Sequence, residues 1–459
     1  MASPLLIANR RRALGLGLCL TGVWWCLAPV VAFAQAVASP ASSPFNVHLV
    51  VTEDLLNCFV SRREVEPGPV RETINDVEVH GQRLSVVDLR LDLLPSADRA
   101  YAQLVLNGNV QTRTTGFSQK ATVHSVGWQR FRAVKDVLFD GTVLSTRHAT
   151  IDVQTNNQPV EFHTPYDGTL AEGVAKFVAA HMAEQRKPQT EELSRQRVIE
   201  RVQPQFDSRI DNTLAQANDA LETNVRSVLR QRELLPLVQR VTTTDRHLHY
   251  AAAIGIRAEA TVAPPRASLL SAHGVNLYVH ESAFNGLLDR LKLKGLRTTD
   301  RELRSLSTRL RSLGGHEPDA EQEPSRGLSL NLDTEIEFDA ERPLWVELGE
   351  EQLMLRLRVA LRPAGQNLMP PVDVAIPFRL EERGDHWQLT TGAIDIRSQR
   401  DGTPLPDIAA AMIREAVEAS LVKAAFPREL PIPNWPQRKP RLKLSAVRAA
   451  DGWLAISLD

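Results

Sequence analysis

One pattern of strand and helix signals occurs twice in this chain, more than two hundred residues apart. It reads VHLVVTEDLLNCFVSR from Val47 to Arg62 and VNLYVHESAFNGLLDR from Val275 to Arg290. Without a gap, the two stretches share Val, Leu, Val, Glu, Asn and Arg at the same offsets. A pattern that returns at this distance is typical of a duplicated domain, so it restricts the fold to two similar units.

Each copy changes its apolar period part-way along. Val47–Val51 alternates between apolar and other side chains, which predicts a strand. From Glu53 the spacing becomes that of a helix with one apolar face, formed by Leu55, Leu56, Phe59 and Val60.

Alternating apolar residues follow both copies and predict antiparallel strands with one buried face. In the first half these are Leu89, Leu91 and Leu93, then Ala102, Leu104 and Leu106, then Val137 and Phe139 after Phe131. In the second half they are Leu328–Leu332, Ile336 and Phe338, Leu344–Leu348, Leu353–Leu361 and Val372–Leu380.

Both halves then carry a closing helix, predicted over Phe206–Arg230 and Ile408–Phe426. The segments after these helices are also similar in the two halves. Residues 232–236 match 428–431, and residues 242–254 match 447–459. A helix over Thr169–Gln185 is predicted in the first half alone, and residues 313–327 are predicted to form a polar loop.

These matches divide the chain into predicted segments. A leader over 1–34 and a linker over 35–44 precede a first domain over 45–262, and a linker over 263–274 precedes a second domain over 275–459. The predicted fold class is α+β, an elongated tandem duplication.

The leader has the features of a secretory signal peptide. Arg10–Arg12 precede an uncharged apolar stretch, and Ala32-Phe33-Ala34 place small residues before Gln35. We expect cleavage near Gln35 and a periplasmic or secreted protein. The alternative is an uncleaved anchor, because the apolar stretch is about as long as a bilayer requires.

The composition argues against several kinds of function. The net charge of −1 gives no attraction for nucleic acid. No GxSxG, HExxH or phosphate-loop motif is present, so we expect no enzyme, catalytic residue, metal or cofactor. His247 and His249 share one face of a strand and are predicted to be solvated. Cys58 has no partner once the leader is removed, and we expect it to be buried.

The order of these elements resembles the two-domain lipid-binding proteins of the bactericidal/permeability-increasing type, in the tubular lipid-binding superfamily. The resemblance covers most of residues 45–459. It rests on VNLYVHESAFNGLLDRLKLKG, on RPLWVELGEEQLMLRLRVAL, on IREAVEASLVKAAFPRELPIPNW and on RLKLSAVRAADGWLAISLD. The chain departs from the family in its single unpaired cysteine and its near-neutral charge, which speaks against lipopolysaccharide as the ligand.

The resemblance implies that each unit is a long curved antiparallel sheet wrapped on two helices. Acyl chains would lie in an apolar slot between helices and sheet, at a gain of about 0.8 kcal/mol per methylene. The protein would then bind or carry a lipid or another amphiphile. From the apolar helix faces, the lipid-binding residues are expected to be Leu55, Leu56, Phe59, Leu214, Leu221, Val225, Phe284, Leu287, Leu288, Met412, Val417 and Leu421.

Two alternatives remain open from the sequence. The same apolar faces would serve equally well as solid cores, in a non-catalytic structural or interaction protein of the cell envelope. A basic segment after the second opening helix is either a surface for an anionic membrane or an ordinary solvated helix face. Its candidate membrane-surface residues are Arg297, Arg301, Arg304 and Arg309.

Overall fold

The computed structural model describes residues 43–74, 77–118, 121–255, 261–265, 269, 273–299, 335–349, 351–362, 368–398, 410–411, 413–414, 425–431 and 441–459. The predicted leader, nearly all of the first linker and the polar loop over 313–327 lie outside these residues. In the described part the protein is mainly antiparallel sheet with few helices. No helix in that part is long and apolar enough to cross a membrane.

The first half begins with the predicted strand and helix and continues with long strands. Its elements are β1 (Val47–Thr52), α1 (Glu53–Val60), β2 (Arg62–Ile74), β3 (Val77–Leu94), β4 (Ala100–Phe117), β5 (Thr122–Phe139), β6 (Leu144–Thr146), β7 (Thr150–His163), α2 (Glu172–Ala220), a π-helical segment (Leu221–Arg226), α3 (Ser227–Gln231), β8 (Val238–Thr243) and β9 (His247–Ala253).

The second half also opens with a strand and a helix. Its elements are β10 (Val275–His280), α4 (Glu281–Asp289), β11 (Arg297–Thr299), β12 (Glu335–Phe338), β13 (Leu344–Gly349), β14 (Gln352–Arg362), β15 (Val372–Arg383), β16 (His386–Thr391), β17 (Asp395–Ser398), β18 (Ala425–Pro427), β19 (Glu429–Pro431), β20 (Arg441–Ala450) and β21 (Trp453–Leu458).

The two copies of the repeated pattern lie side by side in one sheet, here called the junction sheet. Its strand order is β19-β20-β21-β10-β1-β9-β8. β1 and β10 pair antiparallel at its centre, with Leu49 opposite Leu277. The hairpin β8–β9 continues the sheet on the β1 side, and the hairpin β20–β21 continues it on the β10 side.

The shared Glu and Asn of the pattern make the same contacts in both copies. The Asn57 side chain bonds both the N–H and the C=O of Leu91, at 2.9 and 2.8 Å, and Asn285 does so with Val346 at 2.7 and 3.0 Å. Glu53 and Glu281 each accept a bond from the N–H two residues further along those strands, at 2.9 Å. The pattern therefore fastens each opening helix to the sheet that follows it.

The first sheet curls around α2. Its order is β2-β3-β4-β5, with β6 and β7 both paired to β5. At one edge, the Glu191 side chain accepts a bond from the N–H of Asn157 on β7 at 3.1 Å. At the other edge, Arg197 donates to Glu72 on β2 at 3.0 Å. One helix thus contacts both edges of the curled sheet.

The second sheet has an apolar and a charged face. Its order is β11-β12-β14-β15-β16-β18, with β13 paired to β14 and β17 to β15. Along β14, the leucines at 353, 355 and 357 alternate with Arg356 and Arg358, which pair with Glu347 and Asp373 at 2.6 and 2.7 Å. The apolar face also carries buried Val359 and Leu361, so it is the face turned towards the interior of the second half, here called the inner face.

The structure corrects one expectation about the first half and adds two strands to it. The helices predicted over Thr169–Gln185 and Phe206–Arg230 belong to one helical run, because α2 continues through Pro188 and Pro204. The intervening residues favour helix by composition but carry no apolar stripe that could be recognised. β2 and β7 were not predicted because they are polar, and β2 tolerates its prolines as an edge strand.

Candidate functional site

The predicted lipid-binding residues of the first half divide between two apolar clusters. Leu56, Phe59 and Leu214 are buried in one continuous core with residues of the junction sheet, and Leu55 packs against it half-buried. In this core the side chains contact one another, as the solid-core alternative expects.

Leu221 and Val225 lie in a different cluster from the other first-half residues. Leu221 is buried beside Phe139 and Val241, and Val225 packs against this group half-buried. The change from α-helical to π-helical geometry begins at Leu221. The structure therefore does not bring all six first-half residues together.

The opening helix of the second half buries its apolar residues less completely. α4 has no fully buried residue, whereas α1 buries Leu56, Phe59 and Val60. Phe284 and Leu288 lie half-buried against buried Val346 and Leu348 of β13. Leu287 is also half-buried.

The lipid-binding residues predicted from the sequence do not include the sheet residues that lie near α4. Leu353, Leu355 and Leu357 of β14 are half-buried on the inner face, although Val359 and Leu361 on the same face are buried. Leu355 packs against two clusters. One contains Val346 and Leu348 and lies beneath α4, and the other, larger one contains Val359 and Val374. The strict alternation along β14 was the signal that could have identified this face.

We use the name half-buried apolar stripe for the partly exposed apolar side chains on α4 and on the inner face of the second sheet. It consists of Phe284, Leu288, Leu344, Leu353, Leu355, Leu357 and Phe378, and Leu287 lies half-buried on the same helix as Phe284 and Leu288. Register supports its continuity, because Leu353 lies opposite Phe378 on one side and Leu348 on the other. An apolar side chain that is partly uncovered in this way keeps area available for a ligand.

Three predicted residues of the second half, Met412, Val417 and Leu421, lie outside the described residues. Their neighbour Ile413 is described, and it is buried in the cluster with Phe338, Val359 and Val374. The beginning of the predicted closing helix therefore contacts the inner face of the second sheet. Its predicted end at Phe426 is wrong, because Ala425–Pro427 form β18 and pair with β16.

A buried lysine fixes α2 inside the first sheet. Lys135 of β5 is 1% exposed, and its ammonium group pairs with Asp207 and, at 3.0 Å, with Asp211. Partial burial raises the pKa of Asp207, but hydrogen bonds from Lys135 and from the N–H of Ala149 outweigh it and hold the pKa below its usual value. The arrangement is structural, because the buried ammonium group has both of its carboxylate partners within the chain.

The predicted basic surface is represented by one described residue. Arg297 lies exposed on β11 and pairs with Glu337 at 2.9 Å, which neutralises its charge locally. Arg301, Arg304 and Arg309 lie outside the described residues.

A different surface, not assigned from the sequence, exposes apolar side chains at the start of α2. We call it the α2 apolar stripe. It comprises Val174, Phe177, Val178 and Met182, whose spacing follows one face of α2, together with Leu170 in the turn just before the helix. Phe177 is 73% exposed and Val174 is 70% exposed. Clustered exposed apolar side chains mark contact surfaces more often than scattered ones do.

Two single-residue expectations were wrong. Cys58 is exposed, because α1 turns Leu56, Phe59 and Val60 inward and leaves position 58 on the outer side. His249 is buried rather than solvated, with its ring 5.8 Å from that of half-buried His247. Burial lowers the pKa of His247.

Comparison with known proteins adds little to this description. No protein-family model matches the chain, and no curated protein matches it. A solved structure described as the crystal structure of lipopolysaccharide binding protein is similar at 11% sequence identity, over 90% of this chain and 98% of that chain. The TM-score is 0.34, a value that does not establish a shared fold.

Proposed function

We propose that the protein binds or carries a lipid or a similar amphiphile, without catalysis, and that the half-buried apolar stripe of the second half is the binding surface. The observation that carries this proposal is the incomplete burial of the stripe. Phe284 and Leu288 of α4 pack in one cluster with Leu353 and Leu355 of β14, and all four are apolar and partly uncovered. Leu287 is half-buried on the same helix.

Energetics favour an acyl chain as the occupant. Each methylene removed from water contributes about 0.8 kcal/mol, so a chain lying along several leucines gains enough to bind without any directed hydrogen bond. The charged side chains of β14 are on the outer face and paired, so they do not interrupt the apolar face.

We further propose that the two halves, 45–262 and 275–459, are copies of one α+β unit in which a curved sheet wraps on two helices. Support comes from the equivalent hydrogen bonds of Asn57 and Asn285 and from the matching hairpins on either side of β1 and β10. In the first half, the contact of α2 with both sheet edges also agrees with a wrapped unit.

The second candidate function is a structural or interaction protein of the cell envelope with solid cores. The packed first-half core around Leu56, Phe59 and Leu214 favours it. The two functions are compatible if only the second half holds a ligand.

Export is part of the proposal. Cleavage before Gln35 would release a periplasmic or secreted protein, whereas a retained leader would anchor it. Sequencing the mature N-terminus decides between them, because an anchored protein retains Arg10–Arg12.

We also propose that the α2 apolar stripe, rather than the ion-paired Arg297, contacts the membrane from which lipid is taken. Its side chains are apolar and exposed on one helix face, which suits insertion at the interfacial region of a bilayer.

The proposed function is tested by analysis of copurifying lipid. Full-length mature protein should be purified without detergent, examined by native mass spectrometry and extracted for lipid. A bound species of lipid mass that disappears on extraction supports the proposal. Protein that carries no lipid, and takes up none from mixed vesicles, contradicts it.

A further inference from the structure

Two histidines and a glutamate meet on the outer face of the first sheet. His124 is on β5, and Glu161 and His163 are on β7, where His124 lies opposite Glu161 and Thr122 opposite His163. One potential ligand atom from each of the three side chains lies within 4.8 Å of the others. His163 Nε2 is 3.3 Å from Glu161 Oε1, and the two imidazole rings are 5.5 Å apart.

Each histidine is oriented by a neighbour through its Nδ1 atom. His124 Nδ1 is 2.9 Å from Thr115 Oγ1 on the adjacent strand β4. His163 Nδ1 is 3.1 Å from Asp167 Oδ2, and Thr164 fixes the other oxygen of that carboxylate with two hydrogen bonds. With Nδ1 occupied in both rings, Nε2 is the ligand atom that each would offer, and His163 Nε2 already lies beside Glu161 Oε1.

This arrangement has the chemistry of a site for a zinc-like cation. Two neutral imidazoles with one carboxylate are a ligand set that zinc takes, with a fourth position left for water or another ligand. Tetrahedral ligands at about 2.0–2.1 Å from zinc are separated by roughly 3.3 Å, the separation already present between His163 and Glu161. Histidine ligands typically donate their other ring N–H to a carboxylate, a backbone carbonyl or water, and Asp167 provides such a carboxylate for His163.

We propose that His124, Glu161 and His163 bind a divalent transition metal of the zinc class, with Thr115 and Asp167 as orienting residues. The bound ion joins the end of β7 to β5 immediately before the turn that leads into α2. The ligands come from two strands of the sheet, so the sequence alone, from which no metal was expected, gave no compact motif to detect.

A simple ion pair between His163 and Glu161 is the competing explanation. It accounts for two of the three side chains, but it gives no role to His124. A bound cation uses all three side chains, whose potential ligand atoms already lie close together.

The experiment uses untagged full-length mature protein, treated with EDTA and dialysed. Zinc binding is measured by calorimetry and by competition with a chromophoric chelator, and cobalt is added separately to record its visible absorption. We expect one zinc per chain, a higher melting temperature with zinc, and a tetrahedral-type cobalt spectrum. This outcome does not depend on whether the protein binds lipid.

Variants locate the site. His163→Ala should abolish tight binding, and Asp167→Asn should weaken it about 10- to 100-fold. His386→Ala is the matched control, because His386 is an exposed histidine 2.9 Å from the carboxylate of Asp385. It should leave zinc affinity unchanged. Equal metal-free melting temperatures show that the variants fold.

Two results would overturn the proposal. One is wild-type protein that binds no stoichiometric zinc or cobalt. The other is His163→Ala protein that binds zinc as tightly as the wild type, since the ion would then lie elsewhere.

Discussion

Asn57 and Asn285 clamp the strand beside them in the same way, each bonding both the N–H and the C=O of one buried strand residue. The partners are Leu91 and Val346. An amide side chain is suited to this task because it offers both a donor and an acceptor. These two contacts are the strongest structural basis for our proposal that the halves are copies.

Replacing either asparagine should destabilise its half of the protein. Asn285→Ala leaves the N–H and C=O of Val346 without that partner, at a cost of about 1–3 kcal/mol. Asn285→Asp keeps the acceptor alone and should lie between the wild type and alanine. Urea unfolding followed by circular dichroism measures the effect, and a change under about 0.5 kcal/mol would show that the clamp is dispensable.

Removing the buried lysine should be more costly. Lys135→Ala leaves the mostly covered Asp207 carboxylate without its cation, and breaking a buried pair in this way costs about 3–5 kcal/mol; Asp211 is half exposed and adds little. The exposed pair of Arg195 and Glu192 within α2 provides the control, since Arg195→Ala should leave the melt unchanged. Similar melts for both variants would contradict the structural role given to Lys135.

Acid should weaken the junction sheet through His48. Burial, with a smaller contribution from nearby His280, lowers the pKa of His48 to about 4, although a backbone hydrogen bond involving Phe45 acts in the opposite direction. The unfolded chain, with a pKa near the ordinary 6.5, therefore binds more protons as the pH falls from about 6.5 to 4. The neutral, buried His48 therefore contributes to the free energy of unfolding above about pH 6.5, and this contribution is lost as the pH falls to about 4.

The size of this effect is measurable. Between pH 7 and pH 5, His48 should account for a loss of about 2 kcal/mol in unfolding free energy. His48→Gln should show a correspondingly shallower pH dependence, because it lacks the titrating ring but keeps other groups. Parallel pH profiles for the two proteins would contradict the burial of a neutral His48.

The α2 apolar stripe should control binding to zwitterionic vesicles. Phe177→Asp removes an exposed aromatic group worth about 1.5–3 kcal/mol when buried, so vesicle binding should fall about tenfold or more in flotation assays. Val143→Asp, at an exposed apolar position outside the stripe, is the control. Arg297→Gln should have little effect, because Glu337 already pairs with that arginine. Weaker binding for Arg297→Gln alone would transfer the role to the basic surface.

The sequence predicted the elements whose apolar period is strong and local. β1, β10 and their helices follow from the repeated pattern, as do the alternating strands around Leu91 and Leu355. Polar elements carried no such signal, so β2, β7 and the middle of α2 were missed. The degree of cover over Leu287 also could not be predicted, because core and binding surface use the same side chains until their neighbours are known.

The proposed zinc ligands also could not be recognised from the sequence. His124 and Glu161 become neighbours only through the pairing of β5 with β7, where the register shifts between His124 and Ser125. A β-bulge of this kind redirects side chains, and nothing in the sequence between the two strands indicates where it falls.

The most direct test of lipid binding in the second half is a comparison of Leu287→Ala with Leu56→Ala, in thermal melts and in a lipid-transfer assay. Leu287 is half-buried on α4, and Leu56 is buried in the packed first-half core. We predict that Leu287→Ala lowers lipid affinity about tenfold and melts almost normally, since a few methyl and methylene groups at about 0.8 kcal/mol each are lost to the ligand. Leu56→Ala should lose roughly 2–5 kcal/mol of stability and keep its lipid affinity. A Leu287→Ala protein that is destabilised as much as Leu56→Ala, with no lipid detected on the wild type, would contradict the account.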